Sequence, residues 1–275
     1  MSYISKYIHE LNLKNWKALS IFLTAGFPDK NHFIDLAKKV LDAGADMIEL
    51  GIPFSDPLAD GPVIQASSKI ALDNGVNLKD VFAYSEAINA YSQKPIILMG
   101  YANPIRKYGI DNFFKDAVNS GVKGLIVPDV PLEEYESFFN GSELKSDQIQ
   151  YFRSQLDVVL LTTPTSSDER VTAIDSRSRG FVYCVSVAGT TGVNNSFSIN
   201  TEDNLRRTYS LLNKNKMLIG FGISEPEDIA NFSPYCDGVI VGSRIIKSLL
   251  DGDKLGDTLK IISGLSAACD CVKSY

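Results

Sequence analysis

The sequence predicts an α/β protein in which residues 1–275 form a single (β/α)8 or TIM barrel domain, with an extra N-terminal helix and an extended segment after the fourth strand. Eight short apolar runs are spread along the chain, and polar residues do not alternate with apolar ones within them, as is typical of strands buried on both faces. Segments with helical periodicity separate these runs, so strand and helix alternate throughout. A doubly wound sheet is the alternative, but the even number of strands and the glycine loops after the last two favour the barrel.

The predicted strands follow one another along the whole chain. They are 18–25, 46–51, 95–100, 123–129, 157–164, 180–187, 216–222 and 237–243. Residues 1–15 precede the first strand and predict a helix under the bottom of the barrel. The chain between the fourth and fifth strands is longer than one helix needs, and Asn140, Gly141 and Ser142 predict a break between two short helices.

Helical patterns fill the intervals between the strands. After the first strand, one apolar stripe ends before Gly44, a typical C-cap residue. The stripe consists of Phe33, Ile34, Ala37, Val40 and Leu41. Ser166 with Glu169, and Ser224 with Glu227, have the spacing of a capping box and predict that two later helices begin there.

Composition and charge narrow the class of protein. The net charge of −6 argues against nucleic acid or an anionic membrane as the main partner, but backbone N–H groups can still hold an anionic substrate. No apolar run approaches the roughly 20 residues of a membrane helix, and the N-terminus lacks the pattern of a signal peptide. The four cysteines show no C-x-x-C spacing, which favours reduced thiols in a cytoplasmic enzyme.

A charged residue inside the second predicted strand is the strongest indication of chemistry. Glu49 interrupts the apolar run MIEL, at the strand end where barrel enzymes have their active sites. Burial would raise its pKa and let it act as general acid and base, although a carboxylate bonded to backbone or hydroxyl neighbours is an equal alternative. The loop that follows favours catalysis because it adds a second carboxylate, Asp60. Turn formation or capping of the helix at Pro62 is the alternative for Asp60, and for Asp56 it is the preferred interpretation.

The last two predicted strands both end in glycine. Gly222, Gly242 and Ser243 match an arrangement in which backbone N–H groups and a helix N-terminus hold a phosphate, although glycine also serves simple tight turns.

His9 and His32 lie far from any strand end, which disfavours a histidine-ligated metal. No lysine ends a strand, which disfavours a Schiff base. The residues predict metal-free acid–base chemistry on a phosphorylated substrate.

Long motifs in this chain resemble one known family. The segment ELGIPFSDPLADGPVIQ at 49–65 is similar to the signature of the tryptophan synthase α subunit, and FLTAGFP, YANPI, VPDVPLEE, AGTTG, GFGIS and VGSRIIK follow the family pattern elsewhere. The resemblance implies a barrel lyase that cleaves indole-3-glycerol phosphate to indole and glyceraldehyde 3-phosphate by a retro-aldol reaction. It also implies a β subunit that binds pyridoxal phosphate and receives the indole in an α2β2 complex, with no cofactor in this chain.

The resemblance implies roles for individual residues. Glu49 matches the general acid/base, and Asp60 matches the group that hydrogen-bonds the indole N–H. Thr191 matches a threonine in a mobile loop that closes over the substrate and bonds Asp60, while Asp56 lies in a loop similar to one that contacts the β subunit. The other substrate-binding candidates are Phe22 and Tyr183 in the indole pocket, Tyr101 after the third strand, and Gly192, Gly222, Gly242 and Ser243 around the phosphate.

Two stretches depart from the family pattern. The segment 135–155 is longer and more polar than in the family, which can alter packing or the partner surface, and Val187 stands where some members have arginine.

Two other functions fit the fold. A non-catalytic activator of a β-type synthase would not need Glu49, Asp60 and Thr191 together. An isomerase or epimerase of sugar phosphates would need its own acid/base groups and, for an epimerase, metal ligands that the sequence does not present.

Overall fold

Eight parallel strands close into a barrel in the computed structural model. The residues that it describes are 2–140, 147–185, 199–220 and 222–270. The strands are β1 (Ala18–Thr24), β2 (Met47–Gly51), β3 (Ile96–Met99), β4 (Gly124–Ile126), β5 (Asp157–Thr162), β6 (Val182–Val185), β7 (Met217–Gly220) and β8 (Gly238–Val241). Each pairs with the next along the chain and β8 pairs with β1, which confirms the predicted barrel and excludes the doubly wound alternative, because an open sheet keeps two free edges.

Helices pack around the barrel and, in the case of the first helix, under its bottom. They are α1 (Tyr3–Asn12), α2 (Phe33–Asp42), α3 (Pro62–Asp73), α4 (Leu78–Tyr91), α5 (Ala102–Tyr108), α6 (Ile110–Asn119), α7 (Tyr135–Asn140), α8 (Asp147–Gln155), α9 (Asp168–Arg177), α10 (Ile199–Leu211), α11 (Pro226–Phe232), α12 (Ser243–Leu250) and α13 (Leu255–Asp270), with 3-10 turns at Leu132–Glu134 and Ser233–Tyr235. None of those in the described part of the chain is long and apolar enough to cross a membrane.

Strand residues alternate between the interior of the barrel and the surrounding helices. The interior cluster includes Ala18, Met47, Ile97, Ile126, Val159, Tyr183, Leu218 and Ile240. Their neighbours along the strands, among them Leu19, Ile48, Leu98, Leu125, Val158, Ile219 and Val239, belong to the larger cluster packed against the helices. Both faces of the sheet are therefore covered, which is why the strands appear in the sequence as unbroken apolar runs.

The N-terminal helix closes the bottom of the barrel, as predicted. Its apolar side chains Ile4, Ile8 and Leu11 join the interior cluster. Gly124, at the start of β4, leaves room for this packing, because a Cβ there would lie 2.7 Å from Cδ1 of Ile4. With the N-terminal ends of the strands covered in this way, the interior is accessible from their C-terminal ends.

The first predicted helix is α2, with nearly the predicted apolar face. Its buried residues are Phe33, Leu36, Ala37, Val40 and Leu41. The predicted stripe omitted Leu36 and included Ile34, which is only partly buried at the edge of the face. Gly44 follows the helix with a φ of +113°, a conformation that glycine adopts without a steric cost.

Helix α9 begins one residue later than its capping-box spacing predicted. Its N-cap is Ser167, whose side chain accepts a hydrogen bond from the amide of Arg170. The predicted cap, Ser166, instead accepts from the amide of Thr163 at 3.1 Å and belongs to the preceding turn. Two adjacent serines offer the same cap chemistry, so spacing alone did not distinguish them.

Helix α11 also begins one residue after the predicted position. Its N-cap is Glu225 rather than Ser224. The amides of Ser224 and Glu225 donate to Oδ2 of Asp228 at 2.8 and 3.0 Å, so the predicted pairing of Ser224 with Glu227 is wrong. Consecutive acidic residues made the register ambiguous by one position.

The extended segment after the fourth strand contains two short helices, as predicted. Asn140 ends α7, while Gly141 and Ser142 lie outside the described residues. Helix α8 is attached to α6 by an ion pair between Arg153 Nη2 and Asp111 Oδ1 at 2.7 Å. The segment is thus an addition to the outer helical layer.

Candidate active site

A cavity of about 710 Å³ opens at the C-terminal ends of the strands. It is lined by residues from β1, β2, β3, β6 and β8 and from the segments that follow β2, β7 and β8. The predicted site residues among its lining are Phe22, Glu49, Asp60, Tyr183, Gly222, Gly242 and Ser243. The closure of the barrel therefore brings together residues that are distant in the chain.

Glu49 lies in this cavity with its side chain fully buried. It is in register with Phe22 on β1 and Ile97 on β3. Neither of its carboxyl oxygens meets the geometric criteria for a hydrogen bond with a described residue, and the Ser20 hydroxyl is the neighbour close enough to affect its pKa. Burial raises the pKa of Glu49 to about 8, and the nearby Ser20 hydroxyl opposes the shift only in part. Such a carboxyl can exchange a proton with a bound molecule near neutral pH.

Asp60 lies in the segment between β2 and α3, facing the same cavity. Burial raises its pKa to about 6, and the Tyr101 hydroxyl lowers it in part. Gly61 is the N-cap of α3, so Asp60 does not cap that helix. The two carboxyls of the cavity therefore have different pKa values, which lets one stay ionised while the other is protonated.

Tyr101 supports the loop that carries Asp60. Its hydroxyl accepts a hydrogen bond from the amide of Ala59 at 3.1 Å, and its ring centroid lies 5.4 Å from that of Phe54. Its backbone is the N-cap of α5, whose first amide, that of Ala102, donates to Asp129 at 3.0 Å. These contacts suit a group that positions Asp60, and the substrate-binding role of Tyr101 stays a prediction.

The rings of Phe22 and Tyr183 line the cavity as its aromatic wall, and two glycines leave room for them. A Cβ on Gly51 would lie 2.4 Å from Cζ of Phe22, and a Cβ on Gly220 would lie 2.1 Å from the Tyr183 hydroxyl. Burial, with the charges of the two nearby carboxyls, raises the pKa of Tyr183, so its hydroxyl stays neutral. The sequence drew attention to Phe22 and Tyr183 but not to the need for Gly51 and Gly220, because that need depends on contacts between strands. The wall suits a flat aromatic group.

At the ends of β7 and β8, the cavity offers backbone N–H groups. Gly222 follows β7 with a φ of +82°. Gly242 is the N-cap of α12 and Ser243 is its first residue, so the first amides of that helix lack partners within it. Arg244 and Lys247 line the same end. They stand in the VGSRIIK motif, but no role was predicted for them from the sequence.

Two predicted site residues, Thr191 and Gly192, lie outside the described part of the chain, in the segment that follows β6, and so does Val187. The predicted roles of Thr191 and Gly192 therefore rest on the sequence. Asp56 is described, and it lies in an exposed turn where its carboxylate accepts a hydrogen bond from the Ser55 hydroxyl. Asp56 does not line the cavity that holds Glu49.

The described residues contain no cluster of three or more histidine, cysteine, aspartate or glutamate side chains that could hold a metal ion. Of the histidines, His9 lies on α1, and His32 pairs with Asp29 at 2.9 Å on the surface. The groups suited to proton transfer at the aromatic wall are Glu49 and Asp60.

Comparison with known proteins gives a consistent result. The family model of the tryptophan synthase alpha chain matches residues 8–267. The tryptophan synthase alpha chain of Petrotoga mobilis is 42% identical over 250 residues, covering 90% of this chain and 93% of its own length. That of Pelobacter propionicus is 40% identical over 257 residues, covering 93% and 92%. A crystal structure of the tryptophan synthase alpha chain from Legionella pneumophila superposes with a TM-score of 0.85 at 32% identity, covering all (100%) of both chains. A chain of Mycobacterium tuberculosis tryptophan synthase superposes with a TM-score of 0.87 at 30% identity, covering 98% and 99%.

Proposed function

The chain belongs to the tryptophan synthase alpha chain family, and we propose that Glu49 and Asp60 are the groups with which it carries out the reaction of that family. The enzyme is a lyase that cleaves indole-3-glycerol phosphate to indole and glyceraldehyde 3-phosphate, and the indole passes to a β subunit for tryptophan synthesis. The observation that carries the assignment is Glu49, which is fully buried in the cavity with neither oxygen hydrogen-bonded to a described residue.

Cleavage requires two proton movements around one carbon–carbon bond. Protonated Glu49 delivers a proton to C3 of the indole ring, and the resulting carboxylate takes the proton of the adjacent glycerol hydroxyl. The bond between C3 and the side chain then breaks, its electron pair returns to the ring, and the hydroxyl-bearing carbon becomes the aldehyde. The pKa of Glu49, about 8, suits both proton transfers, because the protonated and the ionised carboxyl are each accessible near neutral pH.

Asp60 acts on the other side of the indole. Its pKa of about 6 leaves it ionised at neutral pH. There it accepts a hydrogen bond from the indole N–H and stabilises the positive charge that develops on that nitrogen when C3 is protonated. Tyr101 holds the loop, and the rings of Phe22 and Tyr183 pack against the indole.

The glycerol phosphate extends to the ends of β7 and β8. Backbone N–H groups at Gly222, Gly242 and Ser243 bind the phosphate, as is common in barrels of this type. The resemblance to the family supports adding Gly192 to these donors. It also supports placing Thr191 in a loop that closes over the substrate and bonds Asp60, so that water is excluded during cleavage.

This chain pairs with the β subunit of tryptophan synthase, which is the subunit that binds pyridoxal phosphate. We propose that the complex is α2β2, that residues 1–275 form one barrel domain, and that this chain binds no cofactor itself. The turn at Asp56 is the proposed contact with the β subunit, and the neighbouring Leu58, whose surface is 89% exposed, supports this placement.

The cysteines Cys184, Cys236 and Cys269 are free and buried, which supports a reducing compartment, the cytoplasm, as the location of this protein.

The decisive test is indole release from indole-3-glycerol phosphate by the purified protein, with and without the β subunit. Glu49→Gln should lower turnover by ~10²–10⁴-fold, because the amide keeps the shape but cannot transfer protons. Glu86→Gln, on the exposed face of α4, is the matched control and should retain wild-type turnover. Near wild-type turnover in Glu49→Gln would remove Glu49 from the mechanism, and failure of the wild-type protein to release indole even with the β subunit would refute the function.

A further inference from the structure

The phosphate end of the cavity contains a cation that the reaction described above does not use. Arg244 follows Ser243 in the first turn of α12 and lines the cavity together with Gly222 and Gly242. Its Nε donates to Oε1 of Glu225 at 3.2 Å. The side chain of Arg244 is 30% exposed, so the guanidinium lies between the interior of the cavity and solvent.

The ion pair of Arg244 with Glu225 leaves N–H donors of the guanidinium available to a ligand. A guanidinium has five N–H groups, and within the described residues Arg244 meets Glu225 through Nε alone. The two Nη groups are those that form parallel hydrogen bonds with two oxygens of a phosphate. Arg244 is therefore held at the cavity with part of its phosphate-binding capacity free.

The charges at this end also favour a role for Arg244. The other cation there, Lys247, forms a short 2.6 Å pair with Asp251 in which both side chains are more than half exposed. A bound phosphate monoester brings a charge of about −1.5 to −2, whereas the first turn of a helix offers only roughly half a positive charge. The backbone donors alone leave most of the substrate's negative charge uncompensated. Arg244 is the less exposed of the two cations and the nearer in sequence to those donors.

We propose that Arg244 binds the phosphate of the substrate, and that Glu225 holds the guanidinium back while the site is empty. When the phosphate enters, the Nη groups bond its oxygens and Glu225 loses part of its hold on the arginine. The same cavity holds Glu49, which is fully buried and forms no standard hydrogen bond with the described residues, and this independently marks the cavity as a ligand site. This inference rests on the proposed phosphate site at Gly222, Gly242 and Ser243.

Two inhibitors separate the phosphate from the rest of the substrate. Glycerol 3-phosphate reports on the phosphate site, and indole reports on the aromatic wall. Arg244→Ala should raise the inhibition constant of glycerol 3-phosphate at least tenfold while leaving that of indole near the wild-type value. Arg244→Lys keeps the positive charge but lacks the planar guanidinium, so its inhibition constant for glycerol 3-phosphate should lie between those of wild type and Arg244→Ala. Arg206→Ala is the matched control, because Arg206 is an exposed arginine paired with Glu202 on α10.

Glu225→Gln distinguishes substrate binding from a purely structural latch. If Glu225 competes with the phosphate for Arg244, the amide should tighten the binding of glycerol 3-phosphate. A latch that only joined the two loops would be weakened by either substitution. An unchanged inhibition constant in Arg244→Ala would refute the role of Arg244, and an unchanged or raised constant in Glu225→Gln would refute the competition. Both outcomes differ from failure of the proposed function, in which the wild-type protein would release no indole.

Discussion

At Glu49, the requirements of folding and of chemistry oppose each other. The interior of the barrel is mostly apolar, and the strand neighbours of Glu49 in register are Phe22 and Ile97. Burial raises the pKa to about 8, so the folded protein holds the carboxyl protonated at a pH where the unfolded chain would ionise it. The site therefore gives up stability to obtain a proton-transfer group, as active sites commonly do.

The first prediction is that Glu49→Gln stabilises the fold at neutral pH. The pKa is about 8 in the folded protein against an ordinary value of 4.5, so the stability associated with the neutral carboxyl is fully present below pH 4.5 and is lost as pH rises toward 8. Glutamine has no such dependence. The advantage of the variant in free energy of unfolding should therefore grow between pH 5 and pH 8, by on the order of a few kcal/mol.

Urea unfolding of both proteins at the two pH values measures this difference. The exposed substitution Glu86→Gln serves as the control and should leave the pH dependence of wild type unchanged. If the difference between Glu49→Gln and wild type were the same at pH 5 and pH 8, the folded protein would not be holding Glu49 in its protonated form.

At the scale of elements, the extended segment shows how a polar helix is attached to the barrel. Helix α8 reaches α6 through the ion pair of Arg153 with Asp111, in which each side chain is only 16% exposed. The guanidinium also lies 5.7 Å from the ring centroid of Phe114, which contacts Phe139 of α7 at 6.2 Å. A cation shared between a carboxylate and an aromatic cluster holds a segment whose own sequence is mostly polar.

The second prediction concerns this attachment. Arg153→Met should lower the free energy of unfolding by about 1–3 kcal/mol, because it leaves Asp111 partly buried without its charged partner. Arg153→Met combined with Asp111→Asn should recover part of the loss, since the unpaired charge is removed. A double-mutant cycle of unfolding free energies measures the coupling. The exposed pair Lys69–Asp73 on α3 is the control, and Lys69→Met there should cost less than about 1 kcal/mol. Strictly additive effects at Arg153 and Asp111 would show that the pair does not hold the segment.

At the scale of the whole molecule, the barrel separates a closed end from a reactive end. Helix α1 fills the bottom, while the cavity and the loop after β2 lie at the opposite end. That loop carries both Asp56, the proposed contact with the β subunit, and Asp60, a proposed catalytic group. Since the two residues share one short, proline-rich segment, a partner that holds the first restrains the second.

The third prediction is that the β subunit activates this enzyme by favouring the closed site. Adding the β subunit should raise kcat, and a ligand in the α site should tighten the complex by the same factor by which the β subunit tightens ligand binding. Thr191→Val should reduce this coupling, because it removes the hydroxyl that would bond Asp60. Titration of the β subunit into both proteins, following indole formation and ligand affinity, measures it. Equal activation of wild type and variant would exclude the route through Thr191.

Much of the fold could be predicted because its signals are local. Strand-length apolar runs, helical periodicity and glycines after the strands are all properties of short segments, so the number and order of the elements follow from the sequence. The exact helix starts at Ser167 and Glu225 were missed by one residue, since neighbouring residues offer equivalent caps. Closure of the sheet was inferred from a count, but only the pairing of β8 with β1 decides between a barrel and an open sheet.

Some properties of the site could also be predicted from local sequence, whereas others depend on the three-dimensional structure. The sequence by itself indicated Glu49 and Asp60, because a charge in an apolar strand and a carboxylate in a shaped loop stand out locally, and the family motif supplied their roles. The tertiary structure decided that Glu49 is buried without a described partner, that Tyr101 supports the loop beside Asp60, and that Arg244 lines the cavity. These properties depend on which side chains meet across the barrel. Residues on neighbouring strands are far apart in the chain, so no local pattern encodes the space between them.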